Sequence, residues 1–275
     1  MPAYLDTILV AHRAAAAADG RAVATTVEAA ERELDARRGR GGPDGPRDFV
    51  AAIQAGRAAR GMAVISEIKR RSPSKGDLDP TLEPGTVAAD YETGGASCLS
   101  VLTDEAFFGG SRTDLEVARA ACRLPVLRKD FTVGPLDVCD GRLMGADAVL
   151  LIVAALDDAE LADLLRLART LALAPLVEVH DEPELDRALA AGADLVGVNQ
   201  RDLRTFEVDR ERALRMGERM PEGVVAVAES GIRGAADVER LASVGYAAVL
   251  VGETLVRSAD PAEVVRALRG VAPCS

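Results

Sequence analysis

From Met62 onward, short β-branched apolar runs alternate with longer segments whose apolar residues recur at helical spacing. Strands are predicted to begin near Ala63, Cys98, Pro125, Ala148, Pro175, Leu195, Val224 and Ala247. Between them lie patterns such as ELADLLRLARTLAL (Glu160–Leu173), with leucines on one helical face. Eight strands, each followed by a helix, predict an α/β chain folded as a single (β/α)8 TIM barrel. Ahead of it, Tyr4–Arg38 reads as an Ala-rich helix interrupted near Gly20, and RRGRGGPDGP (Arg37–Pro46) as a Gly/Pro/Arg-rich connector. The expected division is therefore a helical extension over residues 1–46 and a barrel over residues 47–275.

An internal repeat supports the barrel. GASCLSVL at Gly95, GADAVLLI at Gly145, GADLVGVN at Gly192 and GYAAVLVG at Gly245 begin 50, 47 and 53 residues apart. In each, a glycine ends a helix and a short turn leads into a strand. The four precede the second, fourth, sixth and eighth strands, a period of two βα units that suits a barrel built in alternating layers. A doubly wound open sheet is the competing architecture. It lacks support, because GAADVERLASVG has no G-x-G-x-x-G and opens a helix instead of closing a first strand.

Charge falls where a buried strand should avoid it. The odd strands end VISEIK, PVLRKD, PLVEVH and VAVAES. Alternation puts Ile65, Glu67 and Lys69 on one face, Leu127 with Lys129, Leu176 with Glu178, and Val225 and Val227 with Glu229. Inward residues of alternate strands share a layer, so these charges are expected to converge at the C-terminal mouth, where barrel enzymes build their sites. The plain alternative is a set of ion pairs capping the core. Four strands ending this way, with both signs present, point to a catalytic site. The sixth strand runs into VNQRDL, placing Asn199 and Arg201 at the mouth; Arg201 could equally be a surface partner of Asp202 or Glu207. Turns at ESGI (Glu229–Ile232) and VGET (Val251–Thr254), after strands seven and eight, sit where such barrels cradle phosphate, and Ser72 can add a hydroxyl.

Composition narrows the partners. The net charge of −11 repels a nucleic-acid backbone or an anionic membrane, and with no Trp, five Phe and three Tyr there are few platforms for stacking bases. The basic connector is read as a solvated loop and not as a nucleic-acid contact. Four cysteines (Cys98, Cys122, Cys139 and Cys274) without a paired short spacing fit a reducing cytoplasm, and two histidines make a multi-histidine metal site unexpected. No secretory pattern and no long uncharged apolar span are found.

Taken in order, SEIKRRSPSKG, LRKDF, GADAVLLI, LVEVH, VNQRDLRTFEVD, AESGI and VGETLVR resemble the indole-3-glycerol phosphate synthase family over essentially the whole chain. The resemblance implies ring closure of 1-(2-carboxyphenylamino)-1-deoxyribulose 5-phosphate with loss of carbon dioxide and water, in tryptophan biosynthesis, with no metal or organic cofactor. It implies Lys129 as general acid and Glu178 as the acid or base of the later dehydration. Lys69 would hold the substrate carboxylate, and Glu67 would stabilise charge on the anilino nitrogen. Asn199, Arg201, Glu229 and Phe131 would line the substrate site. Ser72, Ser230, Gly231 and Gly252, with Glu253 beside them, would bind phosphate. The expected partner is a phosphorylated small molecule, the expected state a monofunctional monomer or weak homo-oligomer in the cytoplasm. The segment GPLDVCDGRLMGAD departs from the family, whose members more often carry an aromatic and an Ala or Ser near Val138 and Gly141. A glycine inside a helix costs roughly 1 kcal/mol relative to Ala, so local stability is in question there. The loop RRSPSKGDLDP is expected to move during catalysis. The rivals are a related sugar-phosphate isomerase barrel, disfavoured by Glu67-Ile68-Lys69 at the first strand's end, and a non-catalytic phosphate-binding barrel, whose expected signature is loss of Lys69, Lys129 or Glu178.

Overall fold

The four repeated glycines all adopt the left-handed conformation, at φ 86° (Gly95), 91° (Gly145), 84° (Gly192) and 94° (Gly245). Immediately after each, a backbone N–H reaches five residues back: Ala96 to Tyr91, Ala146 to Gly141, Ala193 to Ala188 and Tyr246 to Leu241, at 2.9–3.2 Å. This is the bond that closes a helix on a left-handed glycine and aims the chain into the following strand. The repeat seen in the sequence is thus one helix-ending device used four times.

The computed structural model describes residues 4–73 and 75–270; Cys274 lies outside them. Eight strands form the barrel: β1 (Ala63–Ile68), β2 (Cys98–Leu102), β3 (Val126–Lys129), β4 (Ala148–Ile152), β5 (Ala174–Val179), β6 (Leu195–Asn199), β7 (Val225–Glu229) and β8 (Ala248–Val251). Each pairs in parallel with its sequence neighbours, and β8 pairs with β1, so the sheet is closed. Predicted and observed strand starts agree to within a residue. All six residues of β1 are buried, as expected of a strand covered on both faces.

Several helices start on side-chain caps. Asp157 and Glu160 form a capping box at Asp158–Thr170, and the Asp181 side chain accepts from Glu184 N–H at Glu182–Ala190. Cys98, Cys122 and Cys139 are buried free thiols.

The N-terminal residues form helices Tyr4–Ala18 and Val23–Arg40, with the break falling at the expected place. The second helix runs into the predicted connector as far as Arg40, its basic end paired with Glu33: Arg37 and Arg40 lie 2.7 and 3.0 Å from that carboxylate. Arg13 holds the first helix to the loop after β4, bonding Glu160 and the carbonyl of Ala155 at 2.8 Å. Arg21 bonds Asp140 at 2.7 Å, tying the turn between these helices to helix Pro135–Leu143. A third helix, Phe49–Arg60, buries Phe49 and Ile53 against the starts of β1 and β2.

Gly141 has a packing reason. A Cβ there would sit 2.7 Å from Val149 Cγ1, a buried branched side chain of β4 that cannot swing aside. The propensity lost to glycine is offset by close approach of helix to strand. We expect Gly141→Ala to destabilise the protein by about 1 kcal/mol, overpacking outweighing the gain in helix propensity. Urea unfolding at matched m-values would measure it.

Candidate active site

The ends of the odd strands meet at one place. Lys129 Nζ at the end of β3 lies 2.9 Å from Glu178 Oε2 on β5 and 3.5 Å from Glu229 Oε2 on β7. Lys69, one residue beyond β1, lies 2.6 Å from Glu67 Oε1. The alternation read from the sequence therefore holds: one layer carries Glu67, Lys129, Glu178 and Glu229 inward. The even strands supply Ser100, Leu150, Gly197 and Leu250 around them. Ser100 Oγ is 3.4 Å from Glu67 Oε2, and the two leucines line the cavity.

That cavity has a volume of about 510 Å³ and opens at the C-terminal ends of the strands, within the usual range for small-molecule sites. Every sequence-predicted site residue borders it: Glu67, Lys69, Ser72, Lys129, Phe131, Glu178, Asn199, Arg201, Glu229, Ser230, Gly231, Gly252 and Glu253. Asn199 Nδ2 donates to Glu178 Oε1 at 3.1 Å, fixing the second oxygen of that carboxylate. Phe131 packs against Phe108 and His12, ring centres 6.2 and 5.4 Å away. Arg201 is not paired with Asp202 or Glu207. Its guanidinium bonds the Phe206 carbonyl at 3.2 Å and comes within 4.0 Å of Glu253.

The opposite end of the cavity is basic. Arg201, Arg210, Arg233 and Arg257 line it with the Ser230–Gly231 and Gly252–Glu253 turns. Ser230 and Gly231 are both left-handed, φ 65° and 74°, so the chain bends sharply as β7 ends. Gln200 Nε2 bonds the Ser230 carbonyl at 2.7 Å and Thr254 Oγ1 the Ile232 carbonyl at 3.0 Å, which holds the bend. The Glu253 carboxylate lies 3.6 Å from Arg257, so its backbone, not its side chain, is the part suited to an anion.

Three features that matter here were not foreseen in the sequence, where Gly252 was expected only to bind phosphate. Gly197 lies mid-strand, and a Cβ there would sit 2.0 Å from Glu229 Oε1; its missing side chain makes the room that Glu229 occupies. Gly252 does the same for Glu67, whose Oε1 would lie 2.5 Å from a Cβ. A glycine inside an otherwise apolar strand is the available signal. The third is His180, whose ring lies 3.3 Å from Glu178 and 3.0 Å from Glu184.

The crowding sets the protonation states. Burial alone would lower the Lys129 ammonium, but Glu178, Glu229 and Glu67 more than reverse this and hold its pKa above the ordinary lysine value. Glu178 is lowered: burial opposes ionisation, yet Lys129 and His180 win. Glu229 is raised, because burial is reinforced by Glu178 and Glu67 and only partly countered by Lys129. One of its oxygens, Oε1, is buried without a partner. The two carboxylates are thus driven apart, the pattern that marks acid and base assignments. His180 is pushed up to about 9, burial being overcome by Glu178 and Glu184.

The chain matches the indole-3-glycerol phosphate synthase family model over residues 13–268. The chain belongs to the indole-3-glycerol phosphate synthase family. Indole-3-glycerol phosphate synthase 2 of Streptomyces coelicolor is 53% identical over 224 residues, 82% of this chain and 85% of the relative. The indole-3-glycerol phosphate synthase of Micrococcus luteus is 52% identical over 225 residues, 82% and 84% of the two chains. Among solved structures, 3-hexulose-6-phosphate synthase aligns at 19% identity and TM-score 0.60, over 77% of this chain and 100% of that one. Thiamine phosphate pyrophosphorylase from Pyrococcus furiosus aligns at 17% and 0.58, over 77% and 96%. At such identities these two show the barrel fold alone.

A raised Glu229 has a consequence for stability. Between the ordinary glutamate value and its own higher one, the folded protein holds a proton that the unfolded chain releases. Stability from this group therefore falls as pH rises through that window. We expect Glu229→Gln to remove the penalty and raise Tm by about 2–4 °C at pH 8. The gain should shrink toward pH 5, as a thermal scan at both values would show.

Proposed function

We propose that this mouth closes the indole ring of indole-3-glycerol phosphate from 1-(2-carboxyphenylamino)-1-deoxyribulose 5-phosphate, with release of carbon dioxide and water. Membership of the family makes the chain a decarboxylating, ring-closing lyase of tryptophan biosynthesis. The observation that carries the residue assignments is the convergence of Lys129, Lys69, Glu67, Glu178 and Glu229 in one cavity whose far end is basic. In this proposal the enzyme works in the cytoplasm as a monomer or weak homo-oligomer on a soluble substrate. Among the described residues no helix is long and apolar enough to cross a membrane.

The substrate carries a carboxylate at one end and a phosphate at the other, and the cavity has a cationic group for each. Lys69 takes the carboxylate. The Ser230–Gly231 and Gly252–Glu253 turns, with Ser72 and the neighbouring arginines, take the phosphate. Phe131 packs beside the aromatic ring, and Asn199, Arg201 and Glu229 border the chain between.

Lys129 then protonates the substrate carbonyl oxygen while the aromatic carbon bearing the carboxylate bonds to the carbonyl carbon. Electron density leaves the anilino nitrogen in that step, and the Glu67 carboxylate stabilises the positive charge left there. Carbon dioxide departs with its bonding pair returning to the ring. The new hydroxyl leaves as water with a proton from an acid, and a ring-carbon proton is lost to a base. Glu178 serves this second stage. Keeping Lys129 protonated until the carbonyl oxygen arrives is the role of the carboxylates around it, since the ammonium is held against both burial and neutral pH.

Positioned proton transfer contributes about 10²–10⁴-fold. We expect Lys129→Met, in protein shown to be folded by circular dichroism, to reduce turnover by that order, measured as indole fluorescence on adding substrate. The protein has no Trp, so product appears on a dark background. Unimpaired turnover of the variant would remove Lys129 from the acid role, and no product from the folded parent protein would overturn the function.

A further inference from the structure

His180 follows β5 directly and stands behind the cavity wall, 3.3 Å from Glu178, which lines it. Its two ring nitrogens face two carboxylates. Nδ1 is 3.0 Å from Glu184 Oε2, and Nε2 is 3.3 Å from Glu178 Oε1. The His180 backbone N–H donates to the same Glu184 oxygen at 2.7 Å, so the first turn of helix Glu182–Ala190 clamps both the main chain and the ring. A neutral imidazole has one N–H and one lone pair. Either neutral tautomer here would turn its lone pair on a carboxylate. Only the doubly protonated ring suits both neighbours.

The charged groups around it agree. Glu178 faces it from β5 and Glu184 from the following helix, while Asp202, in the loop after β6, is held below its ordinary value, against burial, by the Arg204 and Thr205 backbone N–H groups, then by Arg212 and least by His180. The nearby cation Lys129 contacts the other oxygen of Glu178, so the two cations are separated by the carboxylate they share. The His180 Nε2 contact is an ion pair and not an aligned hydrogen bond, since that atom is buried without a hydrogen-bond partner.

We propose that His180 is a positioning residue, an imidazolium clamped by Glu184 that keeps Glu178 ionised and in place independently of Lys129. The inference rests on the assignment of Lys129 and Glu178 above and deepens it. When Lys129 gives up its proton, Glu178 loses its nearest cation while Glu229 and Glu67 remain. With no second cation, Glu178, bonded directly to Lys129 at 2.9 Å, would compete with the substrate for that proton. His180 retains its own proton throughout and makes Glu178 the weaker acceptor.

The test begins without substrate. The chain has two histidines, His12 and His180, so ¹H–¹⁵N spectra of the ring nitrogens, assigned with His12→Gln, isolate one signal. In the unliganded enzyme His180 is expected to show the doubly protonated pattern at pH 7.5 and to titrate above pH 8. Glu178→Gln should bring its midpoint down by about one unit or more. A neutral ring at pH 7.5 overturns the proposal whatever the enzyme's activity. Kinetics then separate positioning from packing. His180→Gln should cut kcat roughly tenfold to a hundredfold with KM nearly unchanged, and move the acid limb of the kcat profile up by about one unit. A fall in kcat with the acid limb unmoved would assign His180 a packing role and refute the inference. Loss of the parent activity altogether would refute the reaction and leave the spectroscopic result standing.

Discussion

The structure depends on one buried ammonium. Lys129 sits among Glu178, Glu229 and Glu67, none of which would be tolerated alone at that depth, since an uncompensated buried charge costs several kcal/mol. Together they are tolerable, because each offsets the desolvation of the next. The arrangement is also unbalanced: three acids outnumber the one base at their centre. Protons are therefore shared unevenly, with Glu178 driven toward the carboxylate and Glu229 toward the acid.

Such a set can be held only by a scaffold that fixes four strands in register at once. A slip of one residue in any strand would turn its charge out of the barrel and a hydrophobic residue in. Closure of the sheet forbids the slip. The left-handed glycines at 95, 145, 192 and 245 contribute from below, setting the point at which each even strand begins. Gly197 and Gly252 contribute at the level of the charges, yielding the space that Glu229 and Glu67 fill. Backbone economy in one layer thus makes room for chemistry in the next.

Much of this was legible beforehand because barrels write their geometry in two simple periods. The eight strands follow from apolar runs between helical segments, and the convergence of Lys129, Glu178 and Glu229 from strand alternation. Individual catalytic roles were not legible from pattern; for Lys129, Glu178, Lys69 and Glu67 they came from the resemblance, whereas the phosphate turns were read from their place after strands seven and eight. What stayed hidden depends on where side chains point in three dimensions, which spacing alone does not give even between near neighbours. The LVEVH run contains His180, but nothing local says that its ring falls between Glu178 and Glu184. Gly141 looked like a weak point in a helix until Val149 was seen beneath it. The basic connector looked longer than it is, because Arg37 and Arg40 pair with Glu33, one and two helical turns back in the same helix.

The central claim is that this cluster divides its protons unequally between two carboxyls, and carboxyl-carbon NMR of glutamate-labelled protein tests it most directly. The signals of Glu178 and Glu229 can be assigned by their loss in Glu178→Gln and Glu229→Gln. The account predicts that Glu229 titrates well above the ordinary glutamate value of about 4.3 while Glu178 remains ionised well below it. Two carboxyls titrating together near that ordinary value would contradict it.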